Sequence, residues 1–199
     1  MLFWDMISGV YDLFERLYNK KVFDGTGARV AKEIDDGDDV LECACGTGAI
    51  SVHLAAKCRR LTATDFSSGM LRQAEKNTKR FDNVRLRHAN IYELNVRDES
   101  FDKVVAGNVI HLLDEPTKAI DEMLRVCKKG GKVVIPTYIN MGKSDSELLI
   151  KLFSFAGAHF TRQFDRQSYK QFFRDNGYTN VEFDVVEGRM PCAIAIIHK

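Results

Sequence analysis

Asp39-Val40-Leu41-Glu42-Cys43-Ala44-Cys45-Gly46-Thr47-Gly48, residues 39–48, decides how the rest of this sequence folds. A short apolar run reaches Glu42 and passes through small residues into Gly-Thr-Gly. It continues as Ala49-Ile50-Ser51-Val52-His53-Leu54-Ala55-Ala56, where the apolar residues take helical spacing. The stretch reads as a buried strand, a tight turn and a helix whose first amides face a crevice. Gly46 and Gly48 carry no Cβ, so a ligand can come close to the backbone there. An ordinary strand-to-helix turn has the same outline, because a lone glycine-rich loop is a weak signal.

Downstream, strands and helices alternate. Arg60-Leu61-Thr62-Ala63-Thr64-Asp65 is a β-rich run ending on a carboxylate, and Leu71 to Asn77 follows as a helix. Asn83 to His88 is a third strand and Phe101 to Asn108 a fourth. Glu115 to Lys129 reads as a helix opened by Pro116 and stopped by Gly130-Gly131, before a fifth strand at Lys132 to Tyr138. This alternation implies βαβ units and a parallel sheet covered on both faces, and the continuous apolar run Val133-Val134-Ile135 fits such a strand. The rhythm then changes. Ser146 to His159 and Ser168 to Asn176 read as helices, the second capped by Gly177. Val181 to Val186 and Cys192 to Ile197 read as strands, and the five residues between them are too few for a parallel crossover. They therefore form an antiparallel hairpin.

Upstream, Phe3, Trp4, Ile7, Val10, Tyr11, Phe14, Leu17, Tyr18 and Val22 recur mostly at three- and four-residue steps. They mark one or two amphipathic helices with an aromatic stripe, either packed on the core or roofing an apolar ligand. Gly25-Thr26-Gly27 reads as a turn or hinge, after which Ala28 to Ile34 is helical. The expectation is one domain, with residues 1–27 as a helical cap and 28–199 as a Rossmann-like core. The core is a doubly wound, mostly parallel seven-stranded α/β sheet ending in the hairpin.

The chain's 199 residues match the size of a single domain, roughly 100–200 residues. Lys and Arg total 29 against 28 for Asp and Glu, so no basic footprint for nucleic acid exists. The five cysteines lack C-x-x-C spacing and neighbouring histidines, which excludes a zinc site, and an odd number cannot pair completely. Reduced thiols, the absence of a leader pattern at the N-terminus and the absence of a long apolar run imply a cytoplasmic protein with no membrane span.

Open parallel sheets bind ligands beyond the carboxyl ends of their strands, where strand order reverses. Four such ends carry suitable groups: Glu42 to Gly48, Asp65, Asn90 and Asn108. A carboxylate at Asp65 can accept both hydroxyls of a ribose, although the same side chain could cap the next helix. Phe66 and Met70 could flank an adenine ring. Asn90 could read the ring's edge or serve a turn.

Together these features resemble the class I S-adenosylmethionine-dependent methyltransferases over nearly the whole chain, Val40 to His198. Glu42-x-Ala44-x-Gly46-x-Gly48 is similar to the family's acidic and glycine-rich first motif, with Ala44 where the family has its first loop glycine. Asp65 matches the ribose-binding acid, Asn90-Ile91 the adenine side, and Asn108-Val109-Ile110-His111 the segment after the fourth strand. Tyr11-Asp12 is similar to a Tyr-Asp pair of the ubiquinone/menaquinone-biosynthesis-like branch. The resemblance implies S-adenosyl-L-methionine as cofactor, held by Tyr11, Glu42, Cys43, Ala44, Gly46, Gly48, Asp65, Phe66, Met70, Asn90, Ile91 and Asn108. It implies direct in-line transfer of the methyl group to a small molecule. His111 is the candidate general base, because an unperturbed imidazole titrates near pH 6.5; it could equally be a core histidine. Phe3, Trp4, Phe153, Phe155, Phe160 and Phe164 fall in segments expected to roof the site, which implies an apolar or aromatic acceptor. A nicotinamide dehydrogenase would need glycine at Ser51. A cofactor-binding fold without catalysis, or a partner subunit, is the other alternative.

Overall fold

The computed structural model describes residues 22, 24–140 and 161–199. The helix anticipated at Ser146 to His159, the aromatic stripe from Phe3 to Tyr18 with Tyr11, and Phe153, Phe155 and Phe160 lie outside the described residues.

A helix, α1, covers residues 24–30 and runs into a 3-10 turn at Ala31–Glu33. There follow β1 (Asp39–Cys43), α2 (Ser51–Ala55), β2 (Arg60–Asp65), α3 (Ser68–Thr78), β3 (Val84–His88) and β4 (Phe101–Ala106). After these come α4 (Pro116–Val126), β5 (Cys127–Tyr138), α5 (Arg166–Asp175), β6 (Val181–Val186) and β7 (Cys192–His198). The seven strands form one sheet in the order β3-β2-β1-β4-β5-β7-β6. β1 to β5 pair in parallel, whereas β7 runs antiparallel to both β5 and β6. The doubly wound α/β expectation therefore holds, and β7 enters between β5 and β6.

Each face of the sheet buries its own apolar layer. Val30, Ile34, Leu54, Leu61, Ala74, Val105, Val134 and Ile196 pack on the face that carries α1, α2 and α3. Leu41, Val104, Ile120, Met123, Ile135, Tyr169 and Phe173 pack on the face that carries α4 and α5. Strands sandwiched in this way must be apolar on both sides, which is why Val133, Val134 and Ile135 are all fully buried. α5 begins at a capping box in which Asp165 accepts from Ser168 N, while Ser168 Oγ accepts from Asp165 N. It ends before Gly177, whose φ is 82°.

Three sequence readings change. Gly25-Thr26-Gly27 is neither a turn nor a hinge: α1 runs straight through it. A Cβ on Gly27 would come within 2.3 Å of the His53 ring, and one on Gly25 within 3.1 Å of Val186 Cγ1, so these glycines allow close packing. Arg29 ties α1 to Asp184 of β6 and to Glu33, and Lys132 of β5 bonds Glu33 as well. α4 ends at Val126 instead of Lys129, because Cys127 is already extended and paired with Phe101. Phe164 is a core residue, with its ring centroid 5.3 Å from that of Tyr169.

Candidate active site

Strand order reverses between β1 and β4, and a cavity of about 440 Å³ opens beyond the carboxyl ends of the parallel strands at this point. Its walls are mostly apolar with a few convergent polar groups, as expected for an organic ligand.

The loop after β1 forms one wall. Its backbone turns through positive φ at Ala44 (51°), Gly46 (55°) and Gly48 (85°). Cys45 N–H donates to Thr64 O at 2.9 Å, and Gly48 N–H to Cys45 O at 2.9 Å, so the loop folds back on the end of β2. Among the described residues, nothing lies within 4 Å of the place a Gly46 Cβ would occupy, which leaves that backbone open to a ligand. Gly48 serves a different need: a Cβ there would sit 3.3 Å from the Ala74 backbone of α3. α2 begins at Ser51, two residues later than its apolar spacing suggests, so residues 44–50 are loop.

Asp65 closes the loop against β2. Gly46 N–H donates to Asp65 Oδ2 and Ser67 N–H to Asp65 Oδ1, both at 2.8 Å. Burial raises its carboxyl above the ordinary value, and the amides of Ser67, Gly46 and Phe66 oppose that rise. The cap of α3 is Ser67, which accepts from Met70 N–H at 3.1 Å. An ionised carboxylate has about four lone-pair sites, so Asp65 retains acceptor capacity beyond these bonds.

Glu42 is 2% exposed at the end of β1 and accepts a hydrogen bond from Ser51 Oγ. Burial pushes its carboxyl up to about 8, helped by the nearby Asp65 charge and opposed by the Ser51 bond. Burial thus favours the protonated form of Glu42 in the ligand-free protein.

Glu42, Ala44, Gly46, Asp65, Phe66, Met70, Asn90, Ile91 and Asn108, all candidates from the sequence, line the cavity. Phe66 is 55% exposed, an unusual state for a large apolar ring, and Met70 is buried beside it. Asn90 Oδ1 accepts from Tyr92 N–H at 3.0 Å, so its turn role is present. Asn108, at φ 53°, joins two strand ends by donating to Pro136 O and accepting from Tyr138 N–H.

Cys43 and Gly48 depart from the expectation. Cys43 is fully buried in the core, where burial raises its thiol to about 12, and Gly48 packs on α3. Neither lines the cavity. His111 departs too. It is 9% exposed, is not among the lining residues, and burial alone holds its imidazole down to about 4. Its backbone carbonyl accepts from the N–H groups of Thr161 and Arg162, which places it as a brace for the returning chain.

Thr26, Thr47, Ile50, Leu112, Leu113 and Tyr138 also line the cavity and were not anticipated. Thr47, between two glycines already singled out, could have been read from the motif. Thr26 and Tyr138 come from distant elements and carry no local signal. Among the described residues, no helix is long and apolar enough to cross a membrane.

Residues 41–135 match the family described as a methyltransferase domain. The chain is 35% identical over 135 residues to a demethylmenaquinone methyltransferase of Clavibacter sepedonicus, covering 66% of this chain and 55% of that protein. It is 36% identical over 127 residues to a phosphatidylethanolamine N-methyltransferase of Cereibacter sphaeroides, covering 62% of each. The chain thus spans between about half and two thirds of the length of these relatives. A crystal structure of an S-adenosylmethionine-dependent methyltransferase of Thermotoga maritima shares the fold, with a TM-score of 0.75 and 18% identity over 99% of this chain and 98% of that one. The first-strand loop and the acid ending the second strand lie within the matched region, whereas β6 and β7 lie beyond it. Over residues 41–135 the chain therefore resembles a methyltransferase domain, and the relatives it matches include methyltransferases of menaquinone and ubiquinone biosynthesis.

Proposed function

We propose that this protein transfers the methyl group of S-adenosylmethionine to a small, largely apolar acceptor by direct in-line displacement. The supporting observation is the cavity at the strand-order reversal, where an open Gly46 backbone, the Asp65 carboxylate and the exposed Phe66 ring face one space.

The residues present fit the cofactor. Asp65 would accept from the ribose hydroxyls. Phe66, Met70 and Ile91 would sandwich the adenine, with Asn90 at its edge. Glu42, Ala44, Gly46 and Asn108 would border the amino-acid half. When bound, S-adenosylmethionine supplies a methyl group already activated by a positively charged sulfur. The protein's work is then to orient the acceptor and exclude water, and orientation of this kind contributes roughly 7–11 kcal/mol to lowering a barrier. Val109, Leu112, Leu113, Tyr92 and Tyr138 supply the apolar wall for the acceptor.

His111 lies outside that wall, so this reading draws no proton transfer from it and favours an acceptor already nucleophilic at neutral pH. The relatives are named for different acceptors, demethylmenaquinone and phosphatidylethanolamine, so the class of acceptor here is read from the cavity wall alone.

The test is calorimetric titration with S-adenosylhomocysteine and with NADH, followed by an assay for S-adenosylhomocysteine release across carbon, nitrogen, oxygen and sulfur acceptors. Tight binding of the first ligand with turnover supports the proposal. NADH binding alone overturns it, and cofactor binding with no turnover on any acceptor favours the binding-only alternative.

A further inference from the structure

The proposed cofactor contacts leave a buried polar side chain of the cavity wall unexplained. Thr26, in the first turn of α1, lines the cavity and is 3% exposed. Its hydroxyl is fully buried, and among the described residues it has no hydrogen-bond partner. A helical threonine commonly satisfies its hydroxyl on the carbonyl four residues earlier, and this one does not. A buried hydroxyl left without a partner is destabilising, so its presence beside a ligand cavity calls for a function. Threonine in a helix divides between two side-chain rotamers. With no hydrogen bond holding Oγ1 among the described residues, turning about Cα–Cβ breaks none.

Position decides which part of a ligand Thr26 meets. Its neighbours fix it between two elements: Gly27 lies against the His53 ring of α2, and Gly25 against Val186 at the end of β6. Val186 pairs with Cys192, which also pairs with Tyr138, so this end of β6 lies beside the carboxyl end of β5. Asp65, Phe66 and Asn90 stand at the other flank, beyond β2 and β3. If the ribose and adenine occupy the β2–β3 flank, the amino-acid end of the cofactor extends toward α1. An α-amino carboxylate presents both donors and acceptors, and a hydroxyl can serve either.

We propose that Thr26 contacts the cofactor, its hydroxyl forming a hydrogen bond to the α-amino carboxylate end of S-adenosylmethionine or S-adenosylhomocysteine. The inference rests on the cofactor reading above and adds α1 to the elements that build the site. Thr26 is a binding residue in this role and takes no part in the transfer itself.

The test compares wild type, Thr26→Val and Thr26→Ser in the full chain, each titrated with S-adenosylhomocysteine and with 5′-methylthioadenosine, which lacks the amino-acid end. Melting temperatures are measured without ligand. Thr26→Val should weaken S-adenosylhomocysteine by about tenfold, the scale of one hydrogen bond to a charged group, and leave 5′-methylthioadenosine unchanged. Its unliganded melting temperature should equal or exceed that of wild type, because a methyl replaces an unpartnered hydroxyl. Thr26→Ser should restore affinity to within about twofold, since the bonding group is the same. Equal affinity of wild type and Thr26→Val for S-adenosylhomocysteine would overturn the inference. So would a parallel loss for both ligands, which would mark a packing role. If wild type binds neither ligand, the cofactor reading itself fails, and that result is distinct from a Thr26→Val that binds like wild type.

Discussion

The Gly46 backbone N–H donates to Asp65 Oδ2 at 2.8 Å, so the carboxylate proposed for the ribose also holds the loop proposed to border the rest of the cofactor. Its other oxygen accepts from Ser67 N–H and fixes the start of α3. Asp65→Ala should therefore fail twice. Cofactor affinity should fall by about ten- to a thousandfold, since hydrogen bonds to a charged group contribute about 1.5–3 kcal/mol each. The melting temperature should also drop, because two backbone amides lose their acceptor. Calorimetry and thermal melting check the pair. A melting loss with unchanged affinity would leave Asp65 as a loop brace alone.

Ala44 occupies a left-handed conformation with φ 51°. That conformation costs a residue with a Cβ about 1–2 kcal/mol, while glycine adds about 0.5–1 kcal/mol of unfolded-state freedom. Ala44→Gly should thus be neutral or stabilising by up to about 1.5 kcal/mol, a rise of at most roughly 6 °C in a chain of this size. Cofactor affinity should be retained. Thermal melting is the check, and a clear fall would mean that the alanine methyl makes a packing contact of its own.

Glu42 should make stability depend on pH with a negative slope. Its carboxyl titrates at 4.5 when unperturbed and at about 8 in the fold. Between those values the folded state keeps a proton that the unfolded chain has released. The stabilisation is full below 4.5 and is lost as pH rises through about 8. Urea denaturation across this window should show the decline in wild type and a flatter profile in Glu42→Gln. An unchanged slope would place the cause elsewhere.

His111 predicts the opposite limb. Its imidazole falls from 6.5 to about 4 on burial, so its contribution is full above 6.5 and is lost as pH drops through about 4. His111→Gln should soften the acid side of the stability profile. It should also leave the rate at saturating cofactor and acceptor within about threefold of wild type, well short of the 10²- to 10⁴-fold typical of losing a general base. A hundredfold fall in a folded variant would restore His111 as the base.

Much of the site could be read from residues 39–48 and 60–65, because the relevant physics there is local. An apolar run stops where a strand must end, and the chain can turn through positive φ where glycine permits it. A carboxylate at a strand end has few other uses. The same logic located α5 from Ser168 and Gly177, and the terminal hairpin from a five-residue link.

Tertiary structure decided what depends on distant neighbours. Gly25 and Gly27 look like a hinge in sequence, yet each glycine is there because another element, β6 or α2, packs where a Cβ would stand. His111 follows a strand end as a base should, but whether an imidazole can take a proton depends on its access to water, which only the packed fold removes. The place of β7 between β5 and β6 is equally a matter of which strand edges remain unpaired once the parallel sheet has formed. Thr26 reaches the cavity from a helix 16 residues before Glu42, and no local pattern in a sequence records that a hydroxyl will be buried without a partner.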